Sequence, residues 1–334
     1  MNITKIRKEW WFCVSVLAAL TVTAGSTSAA TVTVNLRAEA TTKTMPDGIT
    51  TVPMWGFAVD ADPVTVPGPP ITVTAGDTLT VNLTNNLSVP VSLVIPGQIT
   101  TMSPVWFTDG QGRQRVMSFT HEAASGGGMA VYTWTNVKPG TYLYQSGTHP
   151  AVQIQMGLYG SLIVESTTPG QAYDDASSAY DEQLVLLYSE IDPALHEAID
   201  NGSYGTTGAT STIDYNPKYF LINGEPYSAA TGPLPAGVAG DRVLIRFLNA
   251  GLKTHAPTLL GPYMKVIAED GRLYPYAREQ CSLMLLAGKT RDVIMTPSAA
   301  GAYPVLDRAL DLTNAGAASA GGMLRILQVN PAVP

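Results

Sequence analysis

GTYLYQSGTHPAVQIQMGLYG, residues 140–160, is closed by glycine at both ends and holds two tyrosine-bearing apolar runs around a polar middle. The runs 141–145 and 159–164 are short enough, and rich enough in aromatic and β-branched residues, to read as strands. Between them the chain passes a Gln-Ser-Gly triplet, then His149 in front of a proline, and seven residues later Met156. A loop of this kind, clamped between two strands, is where a β-protein presents side chains to a ligand.

Working outward, the alternation of apolar and polar residues recurs in runs of the same size. Residues 31–36 read TVTVNL, 71–74 read ITVT and 79–83 read LTVNL, the last two flanking an Ala75-Gly76-Asp77 turn. A period of two predicts half-buried strands. Further strand candidates fall at 129–135, 184–189, 219–223, 242–248, 263–268, 281–286, 291–295 and 322–329, with room for a short helical turn or two at 192–201. The pattern is all-β and fits two sandwiches or barrels. An internal repeat agrees. Ala75-Gly76-Asp77 recurs 164 residues later as Ala239-Gly240-Asp241, and Pro139-Gly140-Thr141-Tyr142 recurs 161 residues later as Ala300-Gly301-Ala302-Tyr303. Two matches at nearly one offset point to a duplicated unit. The expected division is a first domain over 31–166, a polar linker over 167–183 and a second domain over 184–334. The linker's Asp174, Asp175, Asp181 and Glu182 read as a solvated acidic stretch.

At 334 residues, 45% of them apolar and 13% charged, the chain can bury two cores and is not a disordered protein. Its first thirty residues stand apart: Lys5, Arg7 and Lys8, then an apolar stretch over 10–20, then Ser28-Ala29-Ala30. This is the layout of a cleavable secretory signal, and the apolar stretch is short for a bilayer span. Cleavage after Ala30 removes those three basic residues and Glu9, taking the formal charge from −7 to −9. The expected product is periplasmic or extracellular, carries no membrane segment, and is too acidic to favour nucleic acid. It keeps one cysteine, Cys281, in the apolar run CSLMLLAG, where a buried, inert thiol is expected.

Several ordered blocks resemble the cupredoxin, or plastocyanin-like, domains of multicopper oxidases. In the first half they are Gly68-Pro69-Pro70-Ile71 with Ala75-Gly76-Asp77, and Gly140-Thr141-Tyr142-Leu143-Tyr144 leading into 157–164. In the second half they are Phe220-Leu221-Ile222-Asn223-Gly224, Arg246-Phe247-Leu248-Asn249-Ala250-Gly251, residues 266–271 and residues 287–293. Met54-Trp55-Gly56-Phe57-Ala58 and the 140–160 loop look like the large bacterial multicopper proteins implicated in manganese oxidation. The resemblance implies two tandem cupredoxin-like Greek-key β-sandwich domains and copper chemistry. It also implies histidine pairs at positions that read otherwise here. The first pair would fall on Val94 and Pro96, before Gly97, and the second on Gln145 and Gly147. The histidine-rich C-terminal motif, with its cysteine, has no counterpart near 330–334.

Counting leads the same way. A four-copper oxidase needs a thiolate and about ten histidines, because imidazole and thiolate are the side chains that suit copper. This chain has four histidines, His121, His149, His196 and His255. Symmetry in a homo-oligomer supplies no more ligands per cluster than one protomer contains. The expectation is therefore not an autonomous oxidase but an accessory, binding or structural partner in copper or manganese redox biology, beside another chain or a larger metal oxidase. One alternative is a mononuclear copper carrier, with His149, Met156 and His121, and Met117 or Met102 in support, as a weak or Cu(I)-type site. Another is an oxidoreductase completed by ligands from a second chain. The bland readings are that Met156 packs in the core, His149 supports its loop, His121 meets a partner on the long 98–128 stretch, His196 is solvent-exposed and His255 is a hydrogen-bonded structural histidine.

Overall fold

The computed structural model describes residues 29–209, 211–228, 230–315 and 321–332. Apart from Ala29 and Ala30, the expected signal segment lies outside the described residues. Among them, no helix is long and apolar enough to cross a membrane.

The first half supplies β1 (Thr31–Thr44), β2 (Thr51–Val59), β3 (Gly68–Thr74), β4 (Thr78–Asn85), β5 (Val105–Thr108), β6 (Gln114–Ser118), β7 (Gly128–Trp134), β8 (Gly140–Gln145) and β9 (Tyr159–Glu165), with α1 (Pro150–Met156) between the last two. One sheet runs β2-β1-β4-β7 and faces another of order β3-β9-β8. β4 shows why: its residues alternate, with Leu79, Val81, Leu83 and Asn85 turned inward and the intervening threonines and asparagine partly open. Leu79, Val81 and Leu83 meet Leu36, Phe57, Ile71, Tyr132, Trp134 and Leu162 in one core.

The second half repeats the plan with β10 (Glu182–Ile191), α2 (Pro193–Asp200), β11 (Tyr219–Ile222), β12 (Leu234–Val238), β13 (Val243–Asn249), β14 (Pro257–Leu259), β15 (Met264–Glu269), β16 (Arg272–Gln280), β17 (Thr290–Met295), β18 (Gly301–Asp307) and β19 (Leu324–Asn330). Its sheets run β11-β10-β13-β17-β15-β16 and β12-β19-β18-β14. The parallel pairing of β1 with β4 returns as β10 with β13, and that of β3 with β9 as β12 with β19. The repeated Gly76 and Gly240 both hold positive φ, 90° and 97°, and donate to Val137 and Pro297 across the sandwich. Asn85 and Asn249 make the same bonds, each to the carbonyl four residues on and to a facing loop.

The copies differ in what covers their outer faces. β13 is buried on both sides, as are β8 and β9 nearly throughout. Leu143 and Tyr159 of the first sandwich pack on Leu187, Leu248 and Ala250 of the second. At about 1.5–3 kcal/mol for each fully buried large apolar side chain, this contact is a major part of the assembly. A polar group sits inside it. Asp292 accepts from Thr141 Oγ1 and from Tyr173 Oη, both at 2.6 Å, while Arg246 donates to Thr141 Oγ1 at 2.9 Å and to Gln183 Oε1 at 3.0 Å.

Three expectations need correction. Residues 281–286 form isolated bridges rather than a strand, and the edge strand runs just before them at Arg272–Gln280. Cys281 is exposed there, because it follows an edge strand that faces solvent along most of its length. His196 is fully buried. The helix that carries it, capped by Asp192 and opened by Pro193, turns that face onto β2, where Nδ1 lies 2.8 Å from the Pro53 carbonyl oxygen.

Candidate functional site

The 140–160 loop is partly helical. Pro150 suits the first helical position, where its missing N–H is no loss and its φ is already set. His149 caps the helix with φ 38° and ψ 58°, a left-handed conformation unusual for a non-glycine residue. Gly157 ends it at φ 120°, where a Cβ would lie 2.2 Å from the Trp55 carbonyl oxygen.

This helix decides the fate of the expected metal pair. His149 is exposed at its N-terminal end, while Met156 is its last residue and wholly buried. At about 1.5 Å per residue the two are separated by roughly 10 Å along the axis. The geometry does not bring them to one ion. His149 instead borders a cleft of about 500 Å³ with Trp55, Val89, Val152, Ile199 and Tyr204. His121 is also exposed: its ring stacks on Tyr132 with centroids 4.5 Å apart, and Nε2 lies 3.0 Å from the Val131 carbonyl oxygen. Met102 is exposed and Met117 partly so.

The four positions where the resemblance implies histidine fare differently. Val94 and Gln145 face each other and exchange both backbone hydrogen bonds, at 2.9 and 3.0 Å. Gly147 comes next to them: a Cβ added there would lie 2.7 Å from Val94 Cγ1 and 2.9 Å from Ser92 Oγ. Pro96 and Gly97 leave the cluster for the surface. Around Gly147 the side chains are hydroxyls. Ser92 Oγ lies 2.8 Å from Ser118 Oγ, and Ser118 Oγ donates to the Thr120 carbonyl at 2.7 Å. Thr148 Oγ1 donates to Glu122 Oε1 at 2.8 Å and stands 3.0 Å from both serines. Ser146 Oγ donates to Gln153 Oε1 at 2.6 Å, and Gln153 Nε2 donates to the Pro90 carbonyl at 2.8 Å. Each hydroxyl proton has an acceptor, so the cluster is closed on itself. It fixes the loop through its own hydrogen bonds.

His255 behaves as a hydrogen-bonded buried histidine. Nδ1 lies 2.7 Å from Asp307 Oδ2, and Nε2 is hydrogen-bonded to Glu190. Burial alone would depress its imidazolium, but the bonds to Asp307 and Glu190, with their charges, raise it to about 9. Sequence reasoning missed its partners because they lie 52 and 65 residues away and carry no motif.

Comparison with known proteins settles the family. Multicopper oxidase family models match residues 39–169 and residues 184–330. The chain belongs to the multicopper oxidase family. It is 29% identical over 287 residues to "Multicopper oxidase MmcO" of Mycobacterium tuberculosis, covering 75% of this chain and 52% of that protein. It is 26% identical over 288 residues to "Copper resistance protein A" of Pseudomonas syringae pv. tomato, covering 74% and 44%. The chain thus spans about half the length of these relatives. Among solved structures, the blue copper oxidase of Nitrosomonas europaea superposes with a TM-score of 0.72, covering 90% of this chain and 86% of that one. At 20% identity that likeness shows the fold alone, tandem cupredoxin domains. Multicopper oxidase membership implies copper binding; the fit of this chain's own side chains to copper is a separate question.

Proposed function

We propose that this chain is an exported multicopper-oxidase-fold protein without the catalytic copper centres, working as a binding or structural partner in copper or manganese redox chemistry. One observation carries the reading. The segments aligned with the ligand-bearing strands meet, at Val94 and Gln145, but Gly147 between them is walled in by Val94 and Ser92. Aliphatic and hydroxyl side chains do not fit copper, which takes imidazole, thiolate and thioether. His121 and His149 are exposed, His196 and His255 buried, and the chain has no other histidine. Export is supported by the basic, apolar and small-residue pattern of residues 1–30. The partner would be another chain or a larger metal oxidase.

The test is to load the purified chain with Cu(II) and, under reductant, Cu(I), dialyse, and count metal alongside visible and EPR spectra. The expected result is no intense blue absorption and at most one retained copper per chain. Several retained coppers, or a blue band, would overturn the proposal.

A further inference from the structure

We infer that the second domain holds a site for a divalent cation, Zn²⁺ or Mn²⁺, built from His255 Nδ1, Asp307 and Asp311 and oriented by Glu190. This is independent of the partner role proposed above, since it concerns neither copper nor the first domain.

The three ligand groups come from two places in the fold. His255 follows β13, six residues beyond Asn249, and Asp307 ends β18, six residues beyond Gly301. Asp311 lies on the loop that leaves β18. One ligand atom from each lies within 4.8 Å of the other two, the one such grouping of three found among the described residues. A tetrahedral ion at about 2.1 Å from nitrogen and oxygen keeps its ligand atoms about 3.4 Å apart. The 2.7 Å contact between His255 Nδ1 and Asp307 Oδ2 therefore has to open only slightly. The repeat marks the place as distinctive. The corresponding residues of the first domain, six beyond Asn85 and six beyond Gly140, are Val91 and Ser146.

The surroundings are organised in the manner of a metal-bound histidine. A ligating imidazole usually gives its other N–H to a carboxylate that holds the ring in place. Here that carboxylate is Glu190, bonded to His255 Nε2 and itself fixed by Tyr215 Oη at 2.9 Å and Leu252 N at 3.0 Å. Gly251 passes so close to Glu190 that an added Cβ would lie 2.2 Å from its oxygens. On the Asp307 side, Oδ1 accepts from Ala256 N at 2.8 Å, which leaves Oδ2 for Nδ1 or an ion. A second, separate observation comes from Tyr188. It is fully buried, its ring centroid is 5.7 Å from that of His255, and its hydroxyl has no hydrogen-bond partner among the described residues. Burial first, and then the Asp307 charge, hold that phenol neutral. A water brought in with an ion at Asp307 would give the hydroxyl a partner.

Charge argues in the same direction. Three carboxylates surround one imidazole, and Lys253 is a cation whose field reaches Asp311. The carboxylates of Asp307 and Asp311, one oxygen of each within 4.8 Å of the other, repel one another there. A divalent cation removes that repulsion. On binding, His255 gives up the Nδ1 proton that now points at Asp307, so a proton is released. The half-buried Asp311 and its loop are the route in.

The chain, freed of metal by chelation and dialysis, is titrated calorimetrically with Zn²⁺ and then Mn²⁺ in two buffers of different ionisation enthalpy. The expected result is one Zn²⁺ per chain with net proton release, and a melting temperature that climbs with Zn²⁺ concentration. Asp311→Asn, on a loop and half-buried, should weaken binding at least tenfold, whereas Glu197→Gln on the exposed face of α2 should not. His255→Gln should abolish binding; if that chain fails to fold, Asp311→Asn decides alone. Absence of stoichiometric Zn²⁺ at micromolar concentration, or undiminished binding in Asp311→Asn, overturns the inference.

Discussion

Gly147 shows how one residue can fix the character of a site. Its missing side chain lets Val94 and Ser92 close over the position, so Gly147→Ala must push one of them aside. Overpacking of this kind costs about 1–3 kcal/mol, which thermal unfolding of the variant would register as a lowered melting temperature. The two buried histidines give a prediction of opposite signs. His255, raised from 6.5 to about 9, binds its proton more tightly when folded. Its stabilisation is complete below pH 6.5 and is lost as pH rises through about 9. His196 is lowered from 6.5, chiefly by burial. It stays neutral in the folded state while the unfolded chain takes up a proton, so stability also falls below pH 6.5. The urea midpoint should therefore peak near neutrality and decline on both sides; a flat profile from pH 6.5 to 9 would contradict the His255 geometry. Cys281 offers a simpler check. Its thiol is exposed, so it should react with a thiol reagent in native buffer without denaturant.

At the scale of elements, the legible strands are those that alternate cleanly or run continuously apolar. β4 announces itself by strict alternation, and the turn before it by Ala75-Gly76-Asp77 and its echo at Ala239-Gly240-Asp241. β13, though covered on both sides, was legible as a continuous apolar run, and its neighbour Asn249 anchors the loop as Asn85 does in the first domain. β2, β5, β6, β12, β14, β16 and β18 were not among the expected strands; several of them are short or lie at an exposed edge. The helix at 150–156 escaped notice for a different reason: seven residues are too few for a periodicity to show, and only Pro150 and Gly157 mark its ends. That helix is also why sequence spacing misled for His149 and Met156, since a rigid element separates what a loop would have let meet. Nothing in the sequence exposes the contact between Thr141, Tyr173, Arg246 and Asp292. Removing Asp292 would leave Arg246 buried and uncompensated. Asp292→Ala should cost about 3–5 kcal/mol and loosen one sandwich from the other, visible as a broadened or split calorimetric transition.

For the molecule as a whole, the same Greek-key plan occurs twice, and each copy carries a different residue at the place where the ligand loop meets the core. The first copy fills it with valine, glycine and mutually bonded hydroxyls; the second holds an imidazole between carboxylates. The scaffold of a multicopper oxidase is thus retained while the side chains that suit copper are few and scattered. The family and the two-domain plan were readable from repeats and turn motifs, whereas the pairing of His255 with Glu190 and Asp307 depended on contacts more than fifty residues apart. The central claim is that this scaffold lacks the catalytic copper centres. Its most direct test is a metal count with EPR on the copper-loaded, dialysed chain: at most one copper per chain without a blue absorption is predicted, and several retained coppers with one would contradict it.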